Sequence, residues 1–215
     1  MHIPDGFVAP EIYIPSYAVE VLLVSYSFKR FKKSLEEKTI PYLASLSVFS
    51  FILMSIMIPI PGGTSIHGMG VASISLLFGP WVSFISISVV LFLQAVLLGE
   101  GGITTFPINA LSVGFFGSMI AYYSYKLFIK FIKEKITLFL SGFLSTILSV
   151  LLIAIVLGIH PVLFIDSSGK PLYFPYGFSV VIPAMIIPHL IVGIIEGVLT
   201  NLIVLNLKNK VRNEG

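Results

Sequence analysis

Seven apolar runs, each broken from the next by charge, glycine or proline, leave this chain little choice but a bilayer. Read in windows of about 19 residues, they fall near Ile12–Phe28, Pro41–Ile60, Ser65–Phe78, Trp81–Leu98, Asn109–Phe128, Thr137–Leu157 and Phe178–Leu207. A helix needs about 20 apolar residues to cross the hydrocarbon, with a tolerance of roughly 17 to 25, and most of the runs satisfy that. The third is short and rich in Gly and Ser, which suits a re-entrant loop as well as a span. The seventh is long and carries Pro183 and Pro188, able to bend it or to start it outside the bilayer. Only 11% of the residues are charged, against about a quarter in soluble domains, so a water-facing surface of this size is excluded. The absence of cysteine excludes disulfides, thiolate metal sites and iron–sulfur clusters.

The basic residues decide how the doubtful third run is read. If all seven runs cross, twelve of the thirteen Lys and Arg residues, in the segments 29–38, 126–135 and 208–212, share one face and only Lys170 lies on the other. If the third run turns back, the split becomes six against seven. Cytoplasmic loops collect Lys and Arg. The expectation is therefore an all-α, polytopic bundle of seven transmembrane helices in the cytoplasmic membrane, with the N-terminus outside and the C-terminus in the cytoplasm. It is read as one domain over residues 1–215: an external hook (1–11), the bundle (12–207) and a cytoplasmic tail (208–215). The Lys and Arg residues then serve as membrane anchors, which argues against a nucleic-acid partner. Residues 1–11 contain Asp5 and Glu11 but no Lys or Arg, and the basic cluster follows the apolar run. That is the reverse of a secretory leader, so Met1 is expected to be the mature amino terminus.

This topology gathers on the outer face the hook, the loops 61–68 and 99–105, and residues 158–177. His2, His67 and His160 lie on or near that face. A free amine followed by His at position two offers three nitrogens in sequence: the Met1 amine, the His2 amide and the His2 ring Nδ1. On one cation they close a five-membered and then a six-membered chelate ring, leaving one corner of a plane for an imidazole. A planar nitrogen set points to Ni(II) or Cu(II). His67, in a glycine-rich loop on the same face, is the candidate for the fourth corner. Pro4 stiffens the hook, and Asp5-Gly6 is a turn signal able to fold it back over the bundle. His160, beside Pro161, reads as a solvated loop residue.

Inside the last run, His189 and Glu196 are seven residues apart, two turns along one helix face. Ionisable groups at this depth mark pathways or pairings that orient helices, and the sequence leaves both readings open. Gly193 and Gly197 fit the small-xxx-small pattern of close helix packing. There is no G-x-x-x-x-G-K-[ST] phosphate loop, so ATP hydrolysis is not expected of this chain, and the H-E-x-x-H and G-x-S-x-G hydrolase signatures are missing.

The opening Met1-His2-Ile3-Pro4-Asp5-Gly6, His67-Gly68-Met69-Gly70 running on to Leu76-Leu77-Phe78-Gly79-Pro80-Trp81, Phe106-Pro107-Ile108-Asn109-Ala110, and the stretch His189 to Gly197 together resemble the CbiM/NikM family. These are the substrate-capture subunits of energy-coupling-factor nickel and cobalt transporters. The resemblance covers essentially the whole chain. It implies seven helices with the N-terminus dipping into the centre, and an ion held by the Met1 amine, the His2 amide and ring, and the His67 ring. It places Asp5, Asn109 and the 99–105 loop near the site as supports or a lid, and assigns no role to His189 and Glu196. The implied partners are a transmembrane coupling subunit, a pair of cytoplasmic ATPases and a small accessory membrane subunit. The bound ion would be Ni(II), alternatively Co(II), as substrate, and no cofactor is expected. Two rivals remain from the residues alone: an intramembrane metal-dependent hydrolase using His189 and Glu196, and a structural membrane subunit that binds no metal.

Overall fold

In a computed structural model of the chain, residues 2–34, 37–60 and 64–214 are described. A bilayer offers no water to peptide groups, so spanning segments must satisfy them internally as helices. Each of the seven apolar runs has a helix, in order. The first two are α1 (Pro10–Ser34) and α2 (Ile40–Ser55). A short antiparallel hairpin follows, β1 (Ile58–Ile60) and β2 (Thr64–Ile66), with Ile58 opposite Ile66. Then come α3 (Val71–Phe78) and α4 (Pro80–Leu97). The fifth helix is continuous but compound: α5 (Phe106–Asn109), a π-helical stretch over Ala110–Phe116, and α6 (Gly117–Phe128). Last are α7 (Glu134–Leu163) and α8 (Phe178–Glu214). Pro10, Pro41, Pro80 and Pro107 stand in the first turns of their helices, where no N–H is required.

Among the described residues, four segments are long and apolar enough to cross a membrane: Glu37–Ser55, Pro80–Leu97, Glu134–Leu163 and Phe178–Val211. Large apolar side chains point outward along them and along α1, with Leu22 71% and Ile191 66% exposed. This inverts a water-soluble surface and suits lipid.

Four details depart from the expected segments. The second run, expected to reach Ile60, is helical only to Ser55, and Ile58–Ile60 form β1. The third run is helical only over the eight residues of α3, a rise of about 12 Å, and its outer part belongs to the hairpin and the turn at 67–70. The helix cannot extend backward through Gly70, whose φ is +68° and whose missing Cβ would lie 2.5 Å from Ser50 Oγ. The fifth run starts earlier than expected, at Phe106, and contains the wide π turn. The sixth runs past Leu157 through His160 and Pro161 to Leu163. Pro161 stands in the last turn, two residues from the helix end, so the N–H it lacks and the crowding of its ring affect only the end of α7.

The longest packing is between α7 and α8. A Cβ on Gly193 would lie 2.9 Å from the Phe143 ring, and one on Gly197 2.6 Å from the Phe139 ring. A Cβ on Gly142 would lie 2.7 Å from the Glu196 carbonyl oxygen. Small residues thus let the two helix backbones touch. At one end of the bundle the basic segments gather: Lys208 Nζ meets both carboxylate oxygens of Glu134 at 2.7 and 2.8 Å, and Tyr26 packs edge-on against Trp81. The opposite end receives the amino-terminal hook, with Ile3, Val8 and Ala9 fully or almost fully buried.

Candidate metal centre

The hook is held by its backbone. Asn109, at the end of α5, accepts from the Ile3 N–H at 2.9 Å and donates its amide to the Ile3 carbonyl at 3.1 Å. Thr105 Oγ1 donates to the same carbonyl. Asp5 reaches back into the 99–105 loop, accepting from the N–H groups of Ile103 at 3.1 Å and Thr104 at 2.8 Å, and from the Thr104 hydroxyl. The loop can approach this closely because Gly102 has no side chain: a Cβ there would lie 2.1 Å from Asp5 Oδ1. At the far end of the hook, the Ala9 N–H donates to His160 Nε2 at 3.1 Å, while His160 Nδ1–H donates to the Val156 carbonyl at 2.6 Å. His160 is therefore a fully buried tether, not a solvated loop residue. The helix carrying it runs six residues beyond Leu157, through Gly158 and Pro161 to Leu163.

So anchored, the hook brings His2 onto His67. Both are buried, 4% and 3% exposed, and their rings lie 4.4 Å apart between centroids with 29° between planes. His67 Nδ1 lies 2.9 Å from the Gly68 carbonyl oxygen. A carbonyl only accepts, so Nδ1 carries the proton and Nε2 presents its lone pair. His67 Nε2 and both ring nitrogens of His2 are buried without a hydrogen-bond partner. Burial pushes the His2 ring down to about 3, so it is neutral at pH 7, the form that binds metal ions. Met1, the third expected ligand, lies outside the described residues. Among the described residues no three His, Asp or Glu side chains converge tightly enough to hold a metal by themselves. A small cavity beside His2 is lined by Glu100, Gly102 and Asn109, and one Glu100 carboxylate oxygen is buried there unpartnered.

Each member of the intramembrane pair bonds to main-chain groups. Glu196, on α8, accepts from the peptide N–H groups of Met69 and Gly70, the latter at 3.1 Å from each oxygen. It holds the turn between His67 and α3. His189 donates Nδ1–H to the Met185 carbonyl at 2.6 Å, and its Nε2 is buried without a partner. Sequence reasoning missed the tethering roles of His160 and Thr105. Their partners are main-chain groups of residues 9 and 3, which leave no mark on residue type.

An amino-terminal hook folded back into a bundle whose described residues include four segments long and apolar enough to cross a bilayer defines a multi-pass helical membrane protein. Two crystal structures of a transition metal transporter, one truncated, share the fold, with TM-scores of 0.93 and 0.92 at 36% identity; 98% of this chain is covered in each, and 99% and 93% of theirs. Residues 2–214 match the family described as CbiM, cobalt uptake substrate-specific transmembrane region, and the chain belongs to that family, one of metal transport rather than catalysis. It is 36% identical over 211 residues to the "Probable fused nickel transport protein LarMN" of Lactiplantibacillus plantarum, covering 94% of this chain and 63% of that one. It is also 36% identical over 206 residues to the fused nickel transport protein NikMN of Rhodobacter capsulatus, covering 93% and 59%. The cobalt transport protein CbiM of Clostridium tetani is 30% identical, with 94% and 82% covered. This chain thus spans about three fifths of the two fused nickel relatives.

Proposed function

We propose that this protein is the ion-capturing component of an ATP-driven nickel uptake transporter. On this reading it holds Ni(II), alternatively Co(II), in a plane of four nitrogens: the Met1 amine, the His2 amide, His2 Nδ1 and His67 Nε2. The observation that carries the reading is the buried His2–His67 pair with its unpartnered ring nitrogens. In such a chelate the empty corner is trans to the amide and therefore cis to the His2 ring. With metal–nitrogen bonds of about 2 Å, cis imidazoles have centroids about 4.4 Å apart and trans ones about 6.3 Å. The observed 4.4 Å suits the cis arrangement. Buried unpartnered nitrogens are costly, and an ion relieves that cost.

Nickel is favoured over cobalt because a low-spin d⁸ ion gains most from a strong planar field, whereas Co(II) more often takes axial ligands. Copper(II) binds at least as tightly by the Irving–Williams order, so selectivity in the cell rests partly on availability. The hook and His67 face outward in this reading and the C-terminus lies in the cytoplasm. The chain crosses seven times, β2 and α3 together forming the third passage from beside His2 to the Tyr26–Trp81 contact. Lacking a phosphate loop, the protein relies on a pair of partner ATPases and a transmembrane coupling subunit. A small accessory membrane subunit is a further partner on this reading.

Untagged protein loaded with nickel should be yellow and diamagnetic, and acetylating or extending its amino terminus should weaken nickel binding at least about 100-fold with the fold retained. Paramagnetic six-coordinate nickel, or unimpaired affinity in the blocked protein, would contradict the proposal.

A further inference from the structure

We propose that Glu196 is a positioning residue for His67, acting through one peptide unit. The proposal rests on His67 being an ion ligand. The Gly68 carbonyl and the Met69 N–H belong to the same peptide, and none of the described peptides is cis. In a trans peptide these two groups point in opposite directions from one rigid plane. On one side the Met69 N–H donates to Glu196 Oε1. On the other the Gly68 oxygen receives the His67 Nδ1–H at 2.9 Å. Fixing the first bond therefore aims the second. The carboxylate is itself fixed in place. The Gly70 N–H bonds both of its oxygens at 3.1 Å, it is 1% exposed, and it lies 3.0 Å from where a Gly68 Cβ would stand.

Two effects on the ligand follow. The proton is locked on Nδ1, so Nε2 is left as a lone pair turned away from the peptide, as its lack of a protein partner requires. The carboxyl acceptor also polarises the peptide, strengthening the carbonyl as an acceptor and making the imidazole a better donor to an ion. Metal-bound histidines commonly give their second N–H to a carboxylate or a carbonyl; here a carbonyl stands in contact and a carboxylate stands behind it. The arrangement also gives a purpose to a buried acid on α8 that the pairing with His189 does not explain.

The test uses the full chain in detergent with ¹⁵N-labelled histidine, His67 being assigned by its loss in His67→Gln. In metal-free wild type the His67 proton should sit on Nδ1. In Glu196→Gln, whose amide turns an N–H toward a donor, the tautomer should become mixed, nickel affinity should fall about tenfold, and the nickel absorption band should shift; Glu196→Ala should lose about 100-fold. A wild-type proton on Nε2, or Glu196→Gln with the wild-type tautomer and affinity, overturns the proposal. If Glu196→Ala does not fold, the isosteric Gln variant and the wild-type tautomer still decide. If wild-type nickel proves not to be planar, the functional reading fails separately, since the tautomer is read without metal.

Discussion

Two buried imidazoles, His160 at the end of α7 and His67 before α3, begin alike and end differently. Each gives its Nδ1 proton to a backbone carbonyl, of Val156 and Gly68 respectively, and each is almost wholly shielded. His160 closes its circuit by accepting the Ala9 N–H. His67 does not: its Nε2 is left open beside the ring of His2. Burial and tautomer are therefore not what separates a structural histidine from a candidate ligand. The fate of the remaining lone pair is.

The sharpest way to break this comparison is to remove each ring in turn. Apparent binding energies of roughly 10–16 kcal/mol over four ligands make each ligand worth about 100- to 1,000-fold, so His67→Ala should weaken nickel binding by that much in calorimetry while melting nearly normally. His160→Ala should do the reverse, lowering thermal stability by about 1–3 kcal/mol through the orphaned Ala9 N–H and leaving nickel affinity close to wild type. Equal losses of nickel in both variants would erase the distinction.

A smaller effect tests the support common to both. Gly102→Ala puts a methyl group 2.1 Å from Asp5 Oδ1, and overpacking of this kind costs about 1–3 kcal/mol. The hook should loosen, with nickel affinity down about tenfold and accelerated amide exchange at Ile3. Unchanged exchange would mean that Asp5 is not part of the clamp.

The smallest is acidification of the metal-free protein. A freed hook exposes His2 at its ordinary value near 6.5, whereas the docked ring holds off protonation to about 3. The undocked form alone takes up a proton between those limits, so docking is fully favoured above pH 6.5 and weakens as pH falls, by about tenfold per unit below 6.5. Ile3 amide exchange followed from pH 8 to 5 should be flat and then rise. A flat profile to pH 5 would show that the His2 ring stays covered in the open form.

Much of this was legible in the residues. Hydrophobic runs placed the helices, because bilayer thickness acts on segments rather than on single contacts. The meeting of His2 and His67 was legible because both stood out by residue type. The hairpin before α3 was not, since Gly70 looks like any other glycine in an apolar run. Nor were His160, Thr105 and Glu196 as supports. All three grip main-chain atoms across separations such as 127 residues for Met69 and Glu196, and a peptide group reads the same whatever side chain it carries.

That indifference has a consequence at Ile3. Asn109 seizes both the N–H and the carbonyl of that one residue, so the fixed point of the hook is a position in the chain and not an amino-acid type. The clamp sets a fixed point at residue 3, and His2, one position ahead of it, falls beside His67. Swapping the isoleucine for another apolar residue leaves that placement intact. Inserting one residue between His2 and Ile3 would carry the imidazole away from His67 while every bond of the anchor stayed in place.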